Sequence, residues 1–247
     1  MAKQVFLDAR YFVSGADLSG WGNKISVDGE WEAKKVTNWR SGGAEELLGG
    51  LGEFTYEAAG QWEAGDLGKP DDLWWNNRRV IEPWSVGPTG ASDLSAGNLM
   101  WLGTVLRTKA KLFDAVGEVA PWEFSGKASG PLVRGLSLHP SGVPRTATGN
   151  GTSVQAGAVA SGKSVYANLH VISIAGTGSP SLTVQIQSDD ATGFPSPTVR
   201  GSFAAATALG GQSLKIPGPF TDDWWRVAFT ITGTSPSFLF LVSLGIE

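Results

Sequence analysis

The chain has 247 residues, of which 17% are charged, and it holds 34 glycines, 11 tryptophans and 11 phenylalanines, a composition that favours strands and tight turns over long helices. It contains no cysteine, which excludes disulfides, thiolate metal sites and a cysteine nucleophile. Its net charge of −4 arises in residues 1–140, with 18 acids and 14 bases, whereas residues 141–247 carry 5 of each, so no basic patch is available for reading DNA sequence.

The N-terminal segment lacks the basic-then-apolar pattern of a signal peptide, and no apolar run of the sequence reaches membrane-spanning length. We therefore predict a soluble product of the cytoplasm that has no membrane partner. The two histidines, His139 and His170, stand far apart in the sequence. We predict no metal and no other cofactor, because nothing in the sequence groups metal ligands at a typical spacing.

Two segments near the N-terminus, residues 24–32 and 52–63, alternate between apolar and acidic residues. Strand side chains have a period of two, so each segment is predicted to be a strand with one buried face and one carboxylate-bearing face. An ordinary solvated face is the simpler interpretation, but neighbouring like charges cost stability and call for a compensating role. The candidate functional residues are the carboxylates of these faces: Asp28, Glu30, Glu32, Glu53, Glu57 and Glu63.

The next segments predict one helix and further strands. Residues 70–82 predict a helix, because they have residues typical of helix ends: Pro70 at the start, two aspartates directly after it and two arginines near the end. Residues 83–97 are rich in Gly, Pro and Ser and predict a loop. Residues 99–112 predict a buried strand, and the alternation around Trp122 and Phe124 predicts another.

The composition changes to Pro, Gly, Thr and Ser between residues 139 and 153, which predicts a domain boundary or a long exposed connection. We divide the chain into a first domain (1–140), a linker (141–152) and a C-terminal domain (153–247), and we place His139, which precedes Pro140, at the linker. The last part is rich in strand patterns and contains a repeat, residues 174–182 and 231–238. Each copy is predicted to be a hairpin turn, and two such hairpins favour a β-sandwich with a jelly-roll-like arrangement.

Two motifs could indicate a ligand site, one for phosphate and one for sugar, and each also has a purely structural interpretation. Residues 157–164 fit the phosphate-loop pattern G-x-x-x-x-G-K-[ST], but that loop requires a following helix, and residues 165–174 predict a strand. Trp224 and Trp225 present an alternative in which one exposed ring stacks on a sugar; the simpler reading is that one ring enters the core and the other lies at an edge. We predict no catalytic residues, and a carbohydrate-binding module for host-surface recognition is the alternative function.

The chain resembles the major tail (tail tube) proteins of long-tailed, siphophage-type bacteriophages. In the first domain the resemblance rests on the residues at 5–7, 17–20, 23–27, 50–51, 60–65 and 130–135. In the second part, which looks like a domain appended to some of these proteins, it rests on the residues at 138–140, 145–149, 182–190 and 224–227.

The resemblance implies a mainly β fold: a tail-tube β-barrel or sandwich with one flanking helix, followed by a C-terminal β-sandwich on the tube exterior. It implies a structural virion protein, not an enzyme, whose copies form stacked rings around a lumen. The six carboxylates would line that lumen and let DNA pass without binding. The implied partners are further copies and other tail proteins (tape measure, terminator and distal tail).

The resemblance leaves the number of copies in each ring open between six and three. Three segments are predicted to make contacts between rings, because glycine-rich segments can reorder on assembly. They are the N-terminal arm, residues 42–52 and residues 83–97.

Overall fold

The computed structural model describes residues 8–88 and 94–247. These residues contain one helix and fourteen strands, joined by loops and turns, so the expectation of a mainly β chain with one helix is confirmed. The elements are β1 (Arg10–Val13), β2 (Ala16–Asp17), β3 (Gly22–Lys35), β4 (Leu47–Gln61), α1 (Pro70–Asn76), β5 (Ile81–Gly87), β6 (Leu99–Leu112), β7 (Pro121–Ala128), β8 (Val133–His139), β9 (Gly149–Asn150), β10 (Val154–Gln155), β11 (Ser164–Asp189), β12 (Thr198–Ser202), β13 (Gly210–Pro217) and β14 (Trp224–Ile246).

In the N-terminal half, two antiparallel sheets share strand β6. The C-terminal part of β6 continues through β7 and β4 to β3, whereas its N-terminal part continues through β5 and β1 to β2. Apolar side chains from both sheets meet in one core, among them Tyr11, Tyr56, Trp84 and Trp122. The strands predicted from the two acidic segments and from residues 99–112 are therefore present. Strands β4 and β6 bury alternate apolar side chains, whereas in β3 the apolar face is only partly covered: Ile25 and Val27 are half-buried and Trp31 is exposed.

The C-terminal half is built on one long two-stranded ribbon, β11 with β14, rather than on two hairpins. The two repeat segments lie opposite each other in this ribbon, with Thr177 paired to Thr234 and Ser181 to Thr232. Gly176, Gly178 and Gly233 adopt positive φ there, so the glycines bend two paired strands together instead of reversing either chain. The prediction of two hairpin turns was wrong, because glycine, serine and proline occur both where a strand bends and where a chain turns back.

The bent ribbon lets both of its arms bury side chains in a single core. Val165 and Leu182, on opposite sides of the bend in β11, belong to one cluster with Trp225 and Phe240 of β14. Short strands extend the ribbon at its edges: β12 and β13 pair with β11, and β9 and β10 pair with β14.

The two halves of the chain are joined through strand pairing and a small third core. Strand β14 pairs with β8, which in turn pairs with β6. Phe12, Leu94, Met100 and Leu241 form a buried cluster across the junction. The division into residues 1–140, 141–152 and 153–247 stays a prediction, and any such units share a continuous hydrogen-bonded sheet.

Three predicted boundaries shift in the structure. The helix ends at Asn76 rather than at residue 82, and Arg79 beyond it has positive φ, a conformation that cannot continue a helix. Residues 83–87 of the predicted loop belong to the buried strand β5, while residues 89–93 of that loop lie outside the described residues. His139, placed at the linker, instead ends β8 and is buried against the Phe240 ring.

Within the described residues, no helix is both long and apolar enough to span a membrane.

A buried ion pair ties the helix to both sheets. The Arg107 guanidinium of β6 contacts the Glu82 carboxylate of β5, with 2.6 Å between Nε and Oε2, and both side chains are almost fully buried. The same guanidinium donates a hydrogen bond to the Leu73 carbonyl of α1. Burial raises the pKa of the Glu82 carboxyl, and the Arg107 charge opposes that shift.

We predict that Arg107→Met destabilises the protein by about 3–5 kcal/mol, because it leaves the buried Glu82 carboxylate without a counterion. The double variant Glu82→Leu/Arg107→Met should recover most of the loss, since it removes both charges. Urea unfolding of the two variants and of the wild type measures the difference. Equal destabilisation of the single and double variants would show that packing, and not the unpaired charge, causes the loss.

Candidate functional site

The sheet formed by β3, β4, β7 and the C-terminal part of β6 has one buried and one exposed face. Residues directly opposite each other in neighbouring strands project to the same face. One row across the four strands is Ser26, Glu57, Ser125 and Lys109. We call the exposed side, to which this row belongs, the charged face.

The structure brings five of the six predicted carboxylates to the charged face and leaves the sixth elsewhere. By strand pairing and alternation, the five on this face are Asp28, Glu30, Glu32, Glu53 and Glu57. Glu63 follows the end of β4 and contacts the Lys69 ammonium and the Trp21 indole N–H beside the start of α1. These two contacts lower the pKa of the Glu63 carboxyl, Lys69 having the larger effect.

Lysines share the charged face with the carboxylates, a feature that sequence reasoning missed. Among the described residues of this face there is a sixth carboxylate, Glu123, and there are five lysines: Lys24, Lys34, Lys109, Lys111 and Lys127. Lys109 and Lys111 do alternate along β6, but the sequence did not show that β6 and β7 lie beside the acidic strands. The face is therefore close to charge balance, and not a surface of carboxylates alone.

Four of these lysines are held by carboxylates of the same face. Lys24 Nζ lies 3.0 Å from Glu57 Oε2, and Lys111 Nζ lies 3.7 Å from Glu123 Oε1. The other two pairs are Lys34 with Glu32 and Lys127 with Glu53. Exposed pairs of this kind contribute at most about 1 kcal/mol each to folding, so their main consequence is that these lysines are already neutralised.

Three charged groups of the face lack an ion pair within the described part of the chain: Asp28, Glu30 and Lys109. Asp28 and Glu30 lie on β3, whereas Lys109 lies on β6, so the unpaired carboxylates and the unpaired lysine occupy opposite edges of the sheet. Glu30 stands directly opposite Glu53, a like-charge pairing that destabilises the isolated chain.

Both edges of this sheet are open in the described chain. Strand β3 pairs with β4 alone, and the segment 107–112 of β6 has β7 on one side and no strand on the other. Open edges present unpaired N–H and C=O groups and are templates for pairing with another chain. Since the four strands alternate in direction, the two open edges run antiparallel to each other.

A long ribbon projects from the same sheet. Strand β7 pairs with β4 only from Thr55 onward, so the distal parts of β3 and β4 form a two-stranded ribbon, residues 29–54, that extends roughly 25 Å beyond the third strand. It is largely exposed on both faces and carries apolar side chains: Trp31, Val36, Trp39, Leu47, Leu48 and Leu51. A lone two-stranded ribbon is marginally stable in water, and these side chains are suited to contact with another protein surface.

One buried pair resembles a catalytic arrangement without being able to act as one. Ser85 Oγ lies 3.0 Å from His170 Nε2, and the Gly15 N–H donates to His170 Nδ1. Because Nδ1 accepts a hydrogen bond, Nε2 carries the proton and donates to the serine, which it therefore cannot deprotonate. Both side chains are fully buried at the junction of the two halves, beyond the reach of a substrate.

The other two motifs also have structural explanations. The phosphate-loop match ends in a turn at Gly162 and leads directly into strand β11, as the sequence predicted, so no helix N-terminus faces it. Trp225 is fully buried and donates its indole N–H to the Gly157 carbonyl, while Trp224 is partly buried. This is the arrangement expected from alternation, and the buried Trp225 ring is not accessible for stacking on a sugar.

No known protein family and no curated protein matches the sequence. Solved structures do match. The chain is 17% identical to a protein in the virion of a gene transfer agent, over 53% of this chain and 97% of that one, with a TM-score of 0.40. It is 13% identical to the SPP1 tail tube protein, over 51% and 75% of the two chains, with a TM-score of 0.39.

A third match spans nearly the whole chain. The Dit protein of SPP1, described as a hub of the adsorption apparatus in phages that infect Gram-positive bacteria, is 12% identical over 97% of this chain and 99% of that one, with a TM-score of 0.34. Tail proteins, the class that the sequence resembles, are thus among the structures found. All three TM-scores lie below 0.5, and the function proposed below is therefore argued from the geometry of this chain.

We predict that the protein loses stability as the pH falls from about 6.5 towards 4.5. Burial lowers the pKa of His170 to about 3, and burial together with the Arg145 charge lowers that of His139 to about 4. A folded-state pKa below the unfolded value means that the unfolded chain takes up protons first, so stability is full above pH 6.5 and falls below it. Each histidine should cost about 2–3 kcal/mol at pH 4.5.

Thermal unfolding at pH 7.5 and 4.5 tests this prediction, with His139→Gln as the matched comparison. The variant should lose less stability than the wild type over the same interval, because one titrating group is gone. An identical loss in both proteins would contradict the assignment to His139.

Proposed function

We propose that this protein is a structural subunit of a phage tail tube, whose copies join edge to edge into rings and whose rings stack into a hollow tail. The observation that carries the proposal is the four-stranded sheet, which has the exposed charged face on one side, a buried apolar face on the other, and two open edges that run antiparallel. A sheet of this kind continues into a copy of itself without a change in strand alternation.

The direction of the strands supports a closed ring. If β3 of one copy pairs with β6 of the next, every interface is the same, and repetition about an axis yields a closed barrel with no exposed edge. The apolar face is already covered by the chain's own second sheet. The charged face is then the side available to line the lumen.

The projecting ribbon supports contacts beyond a single ring. Trp31 is 66% exposed and Trp39 fully so, and the described residues of the chain leave these side chains uncovered. Of the segments expected to contact neighbouring rings, residues 42–52 belong to this ribbon and its tip. We propose that the ribbon packs on a second copy of the chain in the adjacent ring.

The proposed barrel predicts a ring size. With strands about 4.8 Å apart and tilted by about 35°, six copies give a barrel roughly 45 Å across and three give roughly 23 Å. Side chains on opposite walls take up about 10 Å together. Three copies would leave about 13 Å, hardly more than the roughly 12 Å width of one DNA major groove. A duplex is wider than one of its grooves, so of the two ring sizes only six copies would let it pass.

A lumen lined by the charged face would let DNA pass without holding it. Four of the five lysines are paired to carboxylates, so a phosphate finds few free cations, and Asp28, which has no ion pair among the described residues, repels it. This wall is nearer to neutral than the carboxylate lining expected from the sequence. We propose that low affinity for phosphate, rather than a large negative charge, is the property that matters.

We further propose that the C-terminal half lies on the tube exterior. It is attached through β8 to the N-terminal part of β6, whereas the charged face involves the C-terminal part of that strand. The proposal places the protein in the virion, with other tail proteins as partners at the two ends of the tube.

Electron microscopy of the purified protein at increasing concentration tests the function. We expect rings and stacked tubes, with six copies and a barrel roughly 45 Å across for the innermost sheet. Cross-linking followed by mass measurement gives an independent copy number. A protein that stays monomeric at high concentration, even with tail-tip proteins added to start assembly, would refute the proposal.

We predict that Trp39→Ser/Leu51→Ser separates folding from assembly. Both side chains are exposed in the single chain, so the melting temperature should change by only a few degrees. Tube growth should fall at least about tenfold, since apolar contacts at an interface centre each contribute more than about 1 kcal/mol. The matched control is Val143→Ser, an exposed apolar residue away from the ribbon; equal loss of tubes in the control would contradict a specific role of the ribbon.

A further inference from the structure

The edges of the four-stranded sheet carry complementary unpaired charges. Glu30 on the β3 edge is exposed and faces Glu53 across the strand pair, while the charge of Glu53 is taken by Lys127. Lys109 on the β6 edge is exposed, lies opposite Ser125 and has no ion pair among the described residues. Among the described residues, the β6 edge therefore holds one charge without a counterpart, Lys109, and the β3 edge holds two, Asp28 and Glu30.

The neighbouring lysine of the β6 edge is already paired within the chain. Lys111, two residues along β6, is already held by Asp114 and Glu123, and the Asp114 carboxylate raises the pKa of Lys111. Lys109 is thus the cation of this edge that remains available to another chain.

The geometry of a tilted barrel brings the two charges together. Without stagger, the row through Ser26 and Lys109 would continue into the next copy at its own Ser26. A stagger of four residues over four strands corresponds to a tilt of about 35°, which is typical of closed barrels. In one direction this stagger moves Lys109 opposite Glu30 of the next copy; in the other it meets Gly22, which offers no charge.

We propose that Glu30 of one copy pairs with Lys109 of the next, and that this ion pair fixes the register in which β3 and β6 join. The proposal rests on the function proposed above and adds the residues that set the interface. It gives a reason for the like-charge contact of Glu30 with Glu53, which is unfavourable in the single chain and is relieved on assembly. A lysine on an open edge also discourages wrong pairing, so the same residue would select the correct register.

Charge reversal tests the pair, because both side chains are exposed and their replacement leaves the core intact. Glu30→Lys and Lys109→Glu, each alone, place like charges at every interface. Each should raise the protein concentration needed for ring formation about tenfold or more, which corresponds to about 1.4 kcal/mol per interface. The double variant Glu30→Lys/Lys109→Glu restores opposite charges and should assemble at close to the wild-type concentration.

Matched controls carry the same charge changes elsewhere: Glu118→Lys in the loop between β6 and β7, and Lys163→Glu before β11. Both should assemble like the wild type. Circular dichroism verifies that every variant is folded before its assembly is measured.

The outcomes separate this inference from the proposed function. If the wild type forms tubes and the single reversals form them equally well, or if the double variant fails to recover, the Glu30–Lys109 pair is refuted while the tube subunit stands. If the wild type forms no rings under any condition, the proposed function fails and the pair with it. Loss in both single variants with recovery in the double variant supports the pair.

A mixture of the two single variants adds an independent measurement. Equal amounts of the Glu30→Lys and Lys109→Glu proteins match charges only when the two kinds of copy alternate, and an alternating ring closes only with an even number of copies. Closed rings in the mixture, with none from either variant alone, support both the pair and a ring of six. If the mixture forms only aggregates, and cross-linking shows that the two variants do not alternate in them, the Glu30–Lys109 pair is refuted.

Discussion

Strand β6 belongs to two sheets, and the rest of the N-terminal half depends on that sharing. Its first residues pair with β5 and β8, and its last residues pair with β7. The register shift between Arg107 and Lys109 marks the change, so that Arg107 turns into the core to meet Glu82 while Lys109 points to the charged face. One irregularity in one strand thus separates the buried ion pair from the exposed surface proposed for assembly.

The open edges, the charged face and the projecting ribbon are consistent with one another because each is incomplete in a single chain. Within residues 8–88 and 94–247, the open edges lack hydrogen-bond partners, the ribbon lacks cover for its apolar side chains, and Glu30 lacks a cation. In the proposed assembly, the next copy in the ring supplies the strand partner and the cation, and a copy in the adjacent ring covers the ribbon. Assembly in this view completes the sheet, with the buried core left unchanged and new contacts limited to edges, ribbon and charged pairs.

The histidines and the C-terminal ribbon illustrate how local signals mislead. His139 stands before a proline in a polar stretch, yet it stacks on Phe240, because β8 runs further than its composition suggests. The Gly-Ser-Pro repeats signal turns, and in the structure they bend two paired strands together. Glycine and proline report that the backbone departs from a regular strand, but not whether the chain then reverses direction.

The sequence by itself determined the mainly β class, the strands at residues 24–32 and 99–112, and the solvent exposure of Asp28, Glu30 and Glu57, because alternation with period two is a local property. Only the tertiary structure decided which strands become neighbours. It therefore decided that lysines of β6 and β7 share the carboxylate face and that Glu63 leaves it. Strand pairing joins residues that are distant in sequence. The charge of a sheet face is the sum over all of its strands, and no local sequence pattern shows which strands share a face.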